Sequence, residues 1–194
     1  MKKIISLFQR NYDTDRLVRD EIVPGAEWVI AGEGFATRKY DGTCCMVRDG
    51  KLYKRYDAKK GRMPPADFEP AQEADPVTGH HPGWVPVTKL PEDKWFLEAW
   101  GKTGDPDRPS GTATFLPDGT YELCGPKVQG NPEGFNSHTL IPHGVTILDY
   151  RLRSFDEIWQ FLGVANIEGI VWHHPDGRMV KIKAKDFGIK RRQK

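Results

Sequence analysis

The sequence predicts an α+β fold of antiparallel β-sheets with flanking helices. Strand-like runs recur from Phe35 to Lys183, and turn pairs such as Asp49-Gly50 and Asp176-Gly177 join them closely enough for hairpins. No regular strand–helix–strand alternation points to a parallel sheet. At 194 residues the chain fits one substantial domain. It reads as a single domain over 1–194, with residues 1–33 as an N-terminal extension packed onto it, a long loop over 57–92 and a basic tail over 184–194.

Residues 1–30 open with the polar, irregular Arg10-Asn11-Tyr12-Asp13-Thr14-Asp15-Arg16, turn at Pro24-Gly25, and offer a first strand at Glu27-Trp28-Val29-Ile30-Ala31. Phe35 to Lys39 and Thr43 to Arg48 read as strands, and Asp49-Gly50 turns the chain into Lys51 to Tyr56. The Pro-, Gly- and His-rich stretch 57–92 reads as a surface loop, and loops of that length usually carry function. Trp95 to Trp100 resumes strand character. Pro117-Asp118-Gly119-Thr120 turns into Tyr121 to Gly125, and Val145 to Tyr150 reads as a buried strand. Ser154-Phe155-Asp156-Glu157 matches a capping box. Phe155, Ile158, Trp159 and Leu162 give that helix an apolar face, and Gly163 is placed to end it. Ile167 to His173 and Arg178 to Lys183 form a last hairpin.

No run approaches the ~20 apolar residues that cross a bilayer. The start from Met1 to Phe8 is basic then apolar, yet Gln9 and Arg10 interrupt it too early for a signal peptide, so a soluble cytoplasmic protein without a membrane is expected. Cys44, Cys45 and Cys124 make a poor disulfide framework, which suits a reducing compartment. A formal net charge of +2 does not announce a nucleic-acid binder. However, Lys181, Lys183, Lys185, Lys190, Arg191, Arg192 and Lys194 crowd the last fourteen residues against Asp186 alone. Such a cluster is a solvated end or a place to neutralise phosphates.

The central feature is Lys39-Tyr40-Asp41-Gly42, a Lys-x-Asp-Gly junction between two strands. A lysine there can carry a nucleotide as a phosphoramidate, provided its amine is uncharged when it attacks phosphorus. Alone, this quartet describes an ordinary strand and turn. It is followed in order by Glu122-Leu123-Cys124-Gly125, Glu168-Gly169-Ile170-Val171 and Lys181-Ile182-Lys183. Glu168 lies inside an apolar run, where an unpaired buried carboxylate is costly. Lys181 and Lys183 alternate with Ile182 and so share a strand face.

This ordered set resembles the covalent nucleotidyltransferase superfamily of polynucleotide ligases and mRNA capping enzymes, and spans about three quarters of the chain from Lys39 to Lys183. Thr43 stands where DNA ligases usually carry an arginine. Together with Lys54-Arg55-Tyr56-Asp57, Glu122 to Lys127 and Asn131-Pro132-Glu133, it resembles the compact single-domain 5′-to-3′ RNA ligases. The resemblance implies an adenylyltransferase domain of the ATP-dependent ligase type. It also implies joining of 5′-phosphate and 3′-hydroxyl RNA ends, suited to RNA repair.

In that pattern Lys39 takes AMP from ATP, the AMP passes to the RNA 5′ end, and a 3′-hydroxyl displaces it. Lys181 and Lys183 stabilise charge on the α-phosphate and help keep Lys39 neutral. Glu168 holds Mg²⁺, or Mn²⁺ in its place, directly or through water. Asp41 positions Lys39 or assists the metal, and Gly42 completes the nucleotide motif. Glu122 bonds the ribose, and Arg55 or Lys54 touches ribose or phosphate. Adenine meets the backbone near Arg38 and an aromatic platform at Tyr150.

Capping enzymes and DNA ligases place an OB-fold after the Lys-x-Lys strand, whereas eleven residues follow Lys183 here. No OB-fold is therefore expected, and the basic tail and the 57–92 segment are the candidates to grip pyrophosphate and RNA. The alternatives are a compact DNA nick ligase and a non-catalytic nucleotide- or RNA-binding module. The partners implied are ATP and RNA ends, with no obligate protein partner readable. His80-His81 and His173-His174 lack the ligand spacing of a structural zinc site.

Overall fold

A computed structural model describes residues 3–103 and 116–192; Met1, Lys2 and the terminal Lys194 of the basic tail lie outside the described residues. In chain order the strands and helices are β1 (Ile5–Ser6), β2 (Phe8–Arg10), β3 (Val18–Ile22), α1 (Glu27–Ile30), β4 (Phe35–Lys39), β5 (Thr43–Arg48) and β6 (Lys51–Ala58). These are followed by β7 (Glu69–Pro70), β8 (His81–Pro86), α2 (Lys94–Thr103), β9 (Gly119–Cys124), β10 (Thr139–Pro142), α3 (Phe155–Ala165), β11 (Gly169–His173) and β12 (Met179–Lys183). The α+β character and the antiparallel sheets are as the sequence predicts. Among the described residues, no helix is long and apolar enough to cross a membrane.

The described residues group into two compact units. A terminal unit contains Ile4–Tyr40 and the chain from Gly144 onward, and a central unit contains Asp41–His143 with Lys3.

The terminal unit carries a four-stranded sheet in the order β1-β12-β11-β4. β11 runs antiparallel to both β4 and β12, and β1 adds to β12 in parallel. Leu7, Phe8, Ile158, Leu162, Ile170 and Ile182 are buried in its apolar core. The capping box of α3 forms as predicted, with Ser154 Oγ accepting from Glu157 N–H and the Glu157 carboxylate accepting from Ser154 N–H. The helix passes Gly163 and ends at Asn166, whose left-handed φ of 51° makes it the C-cap. Trp159 is half exposed, while Ile158 and Leu162 turn inward.

Near the N-terminus, Ile5–Ser6 is the sheet's edge strand and Leu7 N–H donates to Lys181 O at 2.8 Å. Glu27–Ile30 is helix rather than strand and buries Trp28 and Val29. So short an apolar run fits either state by periodicity. Val145 to Tyr150 is not a buried strand. Only Ile147 bridges to Thr37, and Val145, Ile147 and Tyr150 are 56%, 64% and 60% exposed. Arg38 N–H to Thr146 O and Leu148 N–H to Ala36 O, both 2.9 Å, tie this irregular segment to β4, and Leu148 is its inward side chain. The basic tail also docks: Asn166 Oδ1 accepts from Arg192 N–H at 2.8 Å.

The central unit carries a six-stranded antiparallel sheet in the order β10-β9-β5-β6-β8-β7. Cys45, Val47, Leu52, Tyr121, Leu123 and Leu140 form its apolar cluster with Phe96 and Ala99 of α2. The β5–β6 hairpin turns at Asp49 and Gly50 with φ of 52° and 67°, the two left-handed positions of a tight hairpin turn.

Trp95 to Trp100 belongs to α2, not a strand, and its inward residues Phe96 and Ala99 are spaced at helical intervals. The 57–92 segment is not a loop throughout. β8 pairs with β6 from Tyr53↔Pro86 to Ala58↔His81 and buries Trp84 and Val85. Pro82-Gly83 hides this strand in the sequence, since both residues weaken a strand pattern. Gly83 is needed where it stands: a Cβ there would lie 2.3 Å from Glu69 O.

Two glycines should respond oppositely to alanine. A Cβ at Gly169 would lie 2.1 Å from Ile182 O, between paired strands, whereas Gly163 faces open space on a helix. Gly169→Ala is expected to destabilise by about 2 kcal/mol or more, and Gly163→Ala to stabilise by about 0.5–1 kcal/mol. Urea midpoints of both variants against the parent check this.

Candidate active site

Strand register assembles the lysine cluster of the terminal unit. Gly169, at the start of β11, is paired with Lys39 at the end of β4 and with Lys183 at the end of β12. The residue before it, Glu168, therefore emerges between two lysine-bearing strand ends. Its Oε2 accepts from Lys39 Nζ at 2.6 Å, and its Oε1 accepts from Lys183 Nζ at 2.5 Å. The three side chains are 10%, 19% and 22% exposed in the order Glu168, Lys39, Lys183. Burial pushes the Glu168 carboxyl upward, but the charges of Lys39 and Lys183 and their hydrogen bonds outweigh it, and the net shift is downward.

Lys181 is the third cation. Burial, then the positive charges of Lys183 and Lys39, pull its ammonium down to about 8, against weaker opposition from Glu168 and Asp186. The alternation expected from the sequence is present, with Val180 and Ile182 buried in the core and Lys181 and Lys183 at the intervening positions. Buried Asp186, just past the strand, accepts Lys183 N–H at 3.0 Å and Arg10 Nη2 at 2.5 Å. Sequence reasoning gave neither Arg10 nor Asp186 a role, and only the fold pairs residues so distant in the chain.

Arg38 places its guanidinium 4.7 Å from the centroid of the Tyr40 ring, and its backbone N–H is engaged by Thr146. Tyr150 meets the Phe161 ring at 4.9 Å and is exposed.

The central unit organises the other motif residues. The backbone N–H groups of Asp41 and Gly42 donate to Glu133 Oε1 at 3.0 Å and Glu122 Oε1 at 3.1 Å. A Cβ on Gly42 would stand 2.1 Å from Leu123 O, so the motif glycine is required by close backbone approach. Glu122 is buried, and its Oε2 lies 2.9 Å from His143 Nε2.

Lys54 and Arg55 are neighbours on β6 and point to opposite faces. Lys54 is Cys45's cross-strand partner and is ion-paired with buried Asp93, whose other oxygen accepts Thr88 N–H at 2.8 Å. Alternation puts Arg55 on the face of Cys44 and Glu122, where it stacks 4.9 Å from the Trp84 ring centroid. Burial lowers the Arg55 guanidinium, with Cys44 and Asp57 opposing. Of the two basic residues, Arg55 is the one on Glu122's face of the sheet. Glu133, His143 and Asp93 were not foreseen as site residues. Glu133 stands in the quoted Asn131-Pro132-Glu133, while His143 reaches Glu122 only through the β9–β10 register.

A family model described as RNA ligase 1 matches residues 112–194, which contain Glu122, Glu168, Lys181 and Lys183. RNA ligase 1 of Pongo abelii is 31% identical over 226 aligned positions that cover 79% of this chain and 67% of the relative. This chain belongs to the RNA ligase 1 family. RNA ligase 1 of Danio rerio is 29% identical, covering 80% of this chain and 67% of its own length. RNA ligase 1 of Rattus norvegicus is 30% identical, covering 79% and 67%. The chain is accordingly a ligase of the RNA ligase class.

The lowered Lys181 ammonium carries a stability consequence. Between about pH 8 and the ordinary lysine value of 10.5, the unfolded chain binds the proton that folded Lys181 releases. Stability from this group therefore rises with pH across that window. Lys181→Met removes the cost of the buried charge, and at pH 7.5 is expected to stabilise by roughly 1–3 kcal/mol. Denaturant midpoints of variant and parent should draw together above pH 8 and converge only as pH passes 10.5.

Proposed function

We propose that this RNA ligase joins RNA 5′-phosphate and 3′-hydroxyl ends with ATP, through AMP carried covalently on Lys39, and that it serves RNA repair. The observation that carries the reading is the Glu168 carboxylate shared by Lys39 and Lys183, with Lys181 beside them. One of these amines must attack phosphorus while the others bear the charge that develops there, and a shared carboxylate can serve both needs.

As an ammonium in an ion pair, Lys39 has no lone pair to offer. ATP phosphates brought against Lys181 and Lys183 satisfy those cations and add negative charge beside Glu168, favouring movement of the Lys39 proton to Oε2, 2.6 Å away. Lys39 Nζ then bonds to the α-phosphorus, the bond to the bridging oxygen breaks, and pyrophosphate leaves with the electron pair. The lysines stabilise the charge on the phosphoryl oxygens. The RNA 5′-phosphate next displaces Lys39 from AMP, and a 3′-hydroxyl displaces AMP in turn to close the phosphodiester. In the central unit, Glu122 and Arg55 contact the ribose and its phosphate.

Glu168 offers the hard oxygen donors that Mg²⁺ prefers. Both are engaged by ammonium groups, so the fit is through water. The ion would supply charge neutralisation on the phosphates.

Incubation with α-labelled ATP and Mg²⁺, followed by a denaturing gel, tests the reading. Label is expected on the parent band and not on Lys39→Ala, with release on adding 5′-phosphorylated RNA and sealing of RNA nicks in preference to DNA nicks. A protein that takes no label, and whose mass shows no resident AMP, would instead be a binding module. Preferential sealing of DNA nicks would overturn the RNA assignment for the substrate.

A further inference from the structure

Three adjacent strands of the central unit bring a thiol, a carboxylate and an imidazole to one face. Cys44 on β5 and Glu122 on β9 are direct cross-strand partners, so their side chains share that face. Thr120, two residues before Glu122, shares it as well. β10 runs antiparallel along β9 until Pro142↔Tyr121, which sets the next residue, His143, beside Thr120 with His143 N–H donating to Thr120 O at 3.0 Å. Its imidazole then spans the face, with Nδ1 2.9 Å from Thr120 Oγ1 and Nε2 2.9 Å from Glu122 Oε2. One ligand atom each of Cys44, Glu122 and His143 lies within 4.8 Å of the others, and this is the only such group of three found among the described residues.

We propose that Cys44, Glu122 and His143 form a Zn²⁺ site, and that Zn²⁺ there competes with nucleotide for Glu122. A sulfur, a nitrogen and an oxygen donor suit Zn²⁺ and not Mg²⁺, which takes oxygen donors. Three protein ligands leave the fourth tetrahedral position to water. The outer contacts are of the kind that orient metal ligands: Thr120 fixes Nδ1 and leaves Nε2 facing Glu122, while Gly42 N–H holds the second Glu122 oxygen at 3.1 Å. For coordination these three atoms, already within 4.8 Å of one another, close on a common centre. The metal takes the place of the direct Glu122–His143 contact and binds Cys44 as thiolate, whose proton is released to solvent. The competition clause rests on the nucleotide-binding role proposed for Glu122, whereas the metal site does not.

Cobalt substitution tests the site directly. Metal-free protein titrated with Co²⁺ is expected to bind one equivalent, giving tetrahedral d–d bands and a thiolate-to-cobalt charge-transfer band, all abolished by Zn²⁺. Cys44→Ser should lose the charge-transfer band, His143→Ala should weaken binding at least tenfold, and Thr120→Val should weaken it by about tenfold. Absence of the charge-transfer band from the parent, or its persistence in Cys44→Ser, would overturn the site. Should Cys44→Ser fail to fold, alkylation of the parent decides instead. Zn²⁺ must shield the Cys44 peptide, and equal labelling with and without Zn²⁺ would overturn the site.

For the competition, Zn²⁺ should suppress labelling of Lys39 by α-labelled ATP in excess Mg²⁺, a chelator should restore it, and Cys44→Ser should need at least tenfold more Zn²⁺. Cobalt bound through Cys44 with unaffected Lys39 labelling would overturn the competition and keep the site. No Lys39 labelling even without Zn²⁺, on protein whose mass shows no resident AMP, would overturn the proposed function and leave the cobalt result standing.

Discussion

The terminal unit is organised around one carboxylate held between two ammonium groups. Glu168 has little exposure, and alone such a charge would be expelled or neutralised. It stays ionised because Lys39 and Lys183 are delivered to its two oxygens by two different strands. That delivery depends on a row of backbone pairs, Lys39↔Gly169↔Lys183, and on the missing side chain in the middle of the row. A one-residue slip of either neighbour would turn its lysine to the opposite face. The edge strand at Ile5–Ser6 and the Arg10–Asp186 pair continue the same arrangement, fixing β12 and the backbone of Lys183. Buried ion pairs contribute little net stability, so this arrangement is better understood as orientation than as reinforcement.

The central unit solves a different problem with the same means. Glu133 and Glu122 accept the backbone N–H groups of Asp41 and Gly42, so the path of the motif is set by buried carboxylates and by the lack of room for a Cβ at Gly42. The ligase motif is thus a sequence constraint with two origins. Lys39 is specified by its ionic partners on neighbouring strands, and Gly42 by the backbone it approaches. Arg55 joins Glu122 and Cys44 on one face through strand alternation alone, while Lys54 is held by Asp93.

The antiparallel α+β class, the β11–β12 hairpin and the capping box of α3 were legible because each has a local chemical cause: turn residues with accessible left-handed conformations, period-two alternation, and Ser154 with Glu157 three residues on. The helix at Trp95 was missed because a run of aromatic residues mimics a strand, although its inward spacing was helical. β8 was missed because Pro82 and Gly83 argue locally against a strand that tertiary packing requires, with Gly83 admitting Glu69 to close approach. Val145 to Tyr150 failed in the opposite sense, as an apolar run left exposed along β4. The charged site residues were legible as a motif order, yet their partners were not. Asp186, Glu133, Asp93 and His143 acquire meaning only through contacts with residues far off in sequence or set by register.

Lys181 shows what such an arrangement costs. It is half-buried beside two like charges, and its ammonium is pulled down to about 8, whereas Lys183 on the same strand has the Glu168 oxygen. Nothing in packing calls for this, since an apolar side chain at position 181 would avoid the desolvation and the repulsion together. A fold selected for stability alone would not place a third lysine there. The function proposed above gives it a use, because a phosphate brought against the cluster would offset the repulsion that Lys183 and Lys39 exert on Lys181. Glu168 answers Lys39 and Lys183 directly, whereas its charge and that of Asp186 only partly oppose the fall at Lys181.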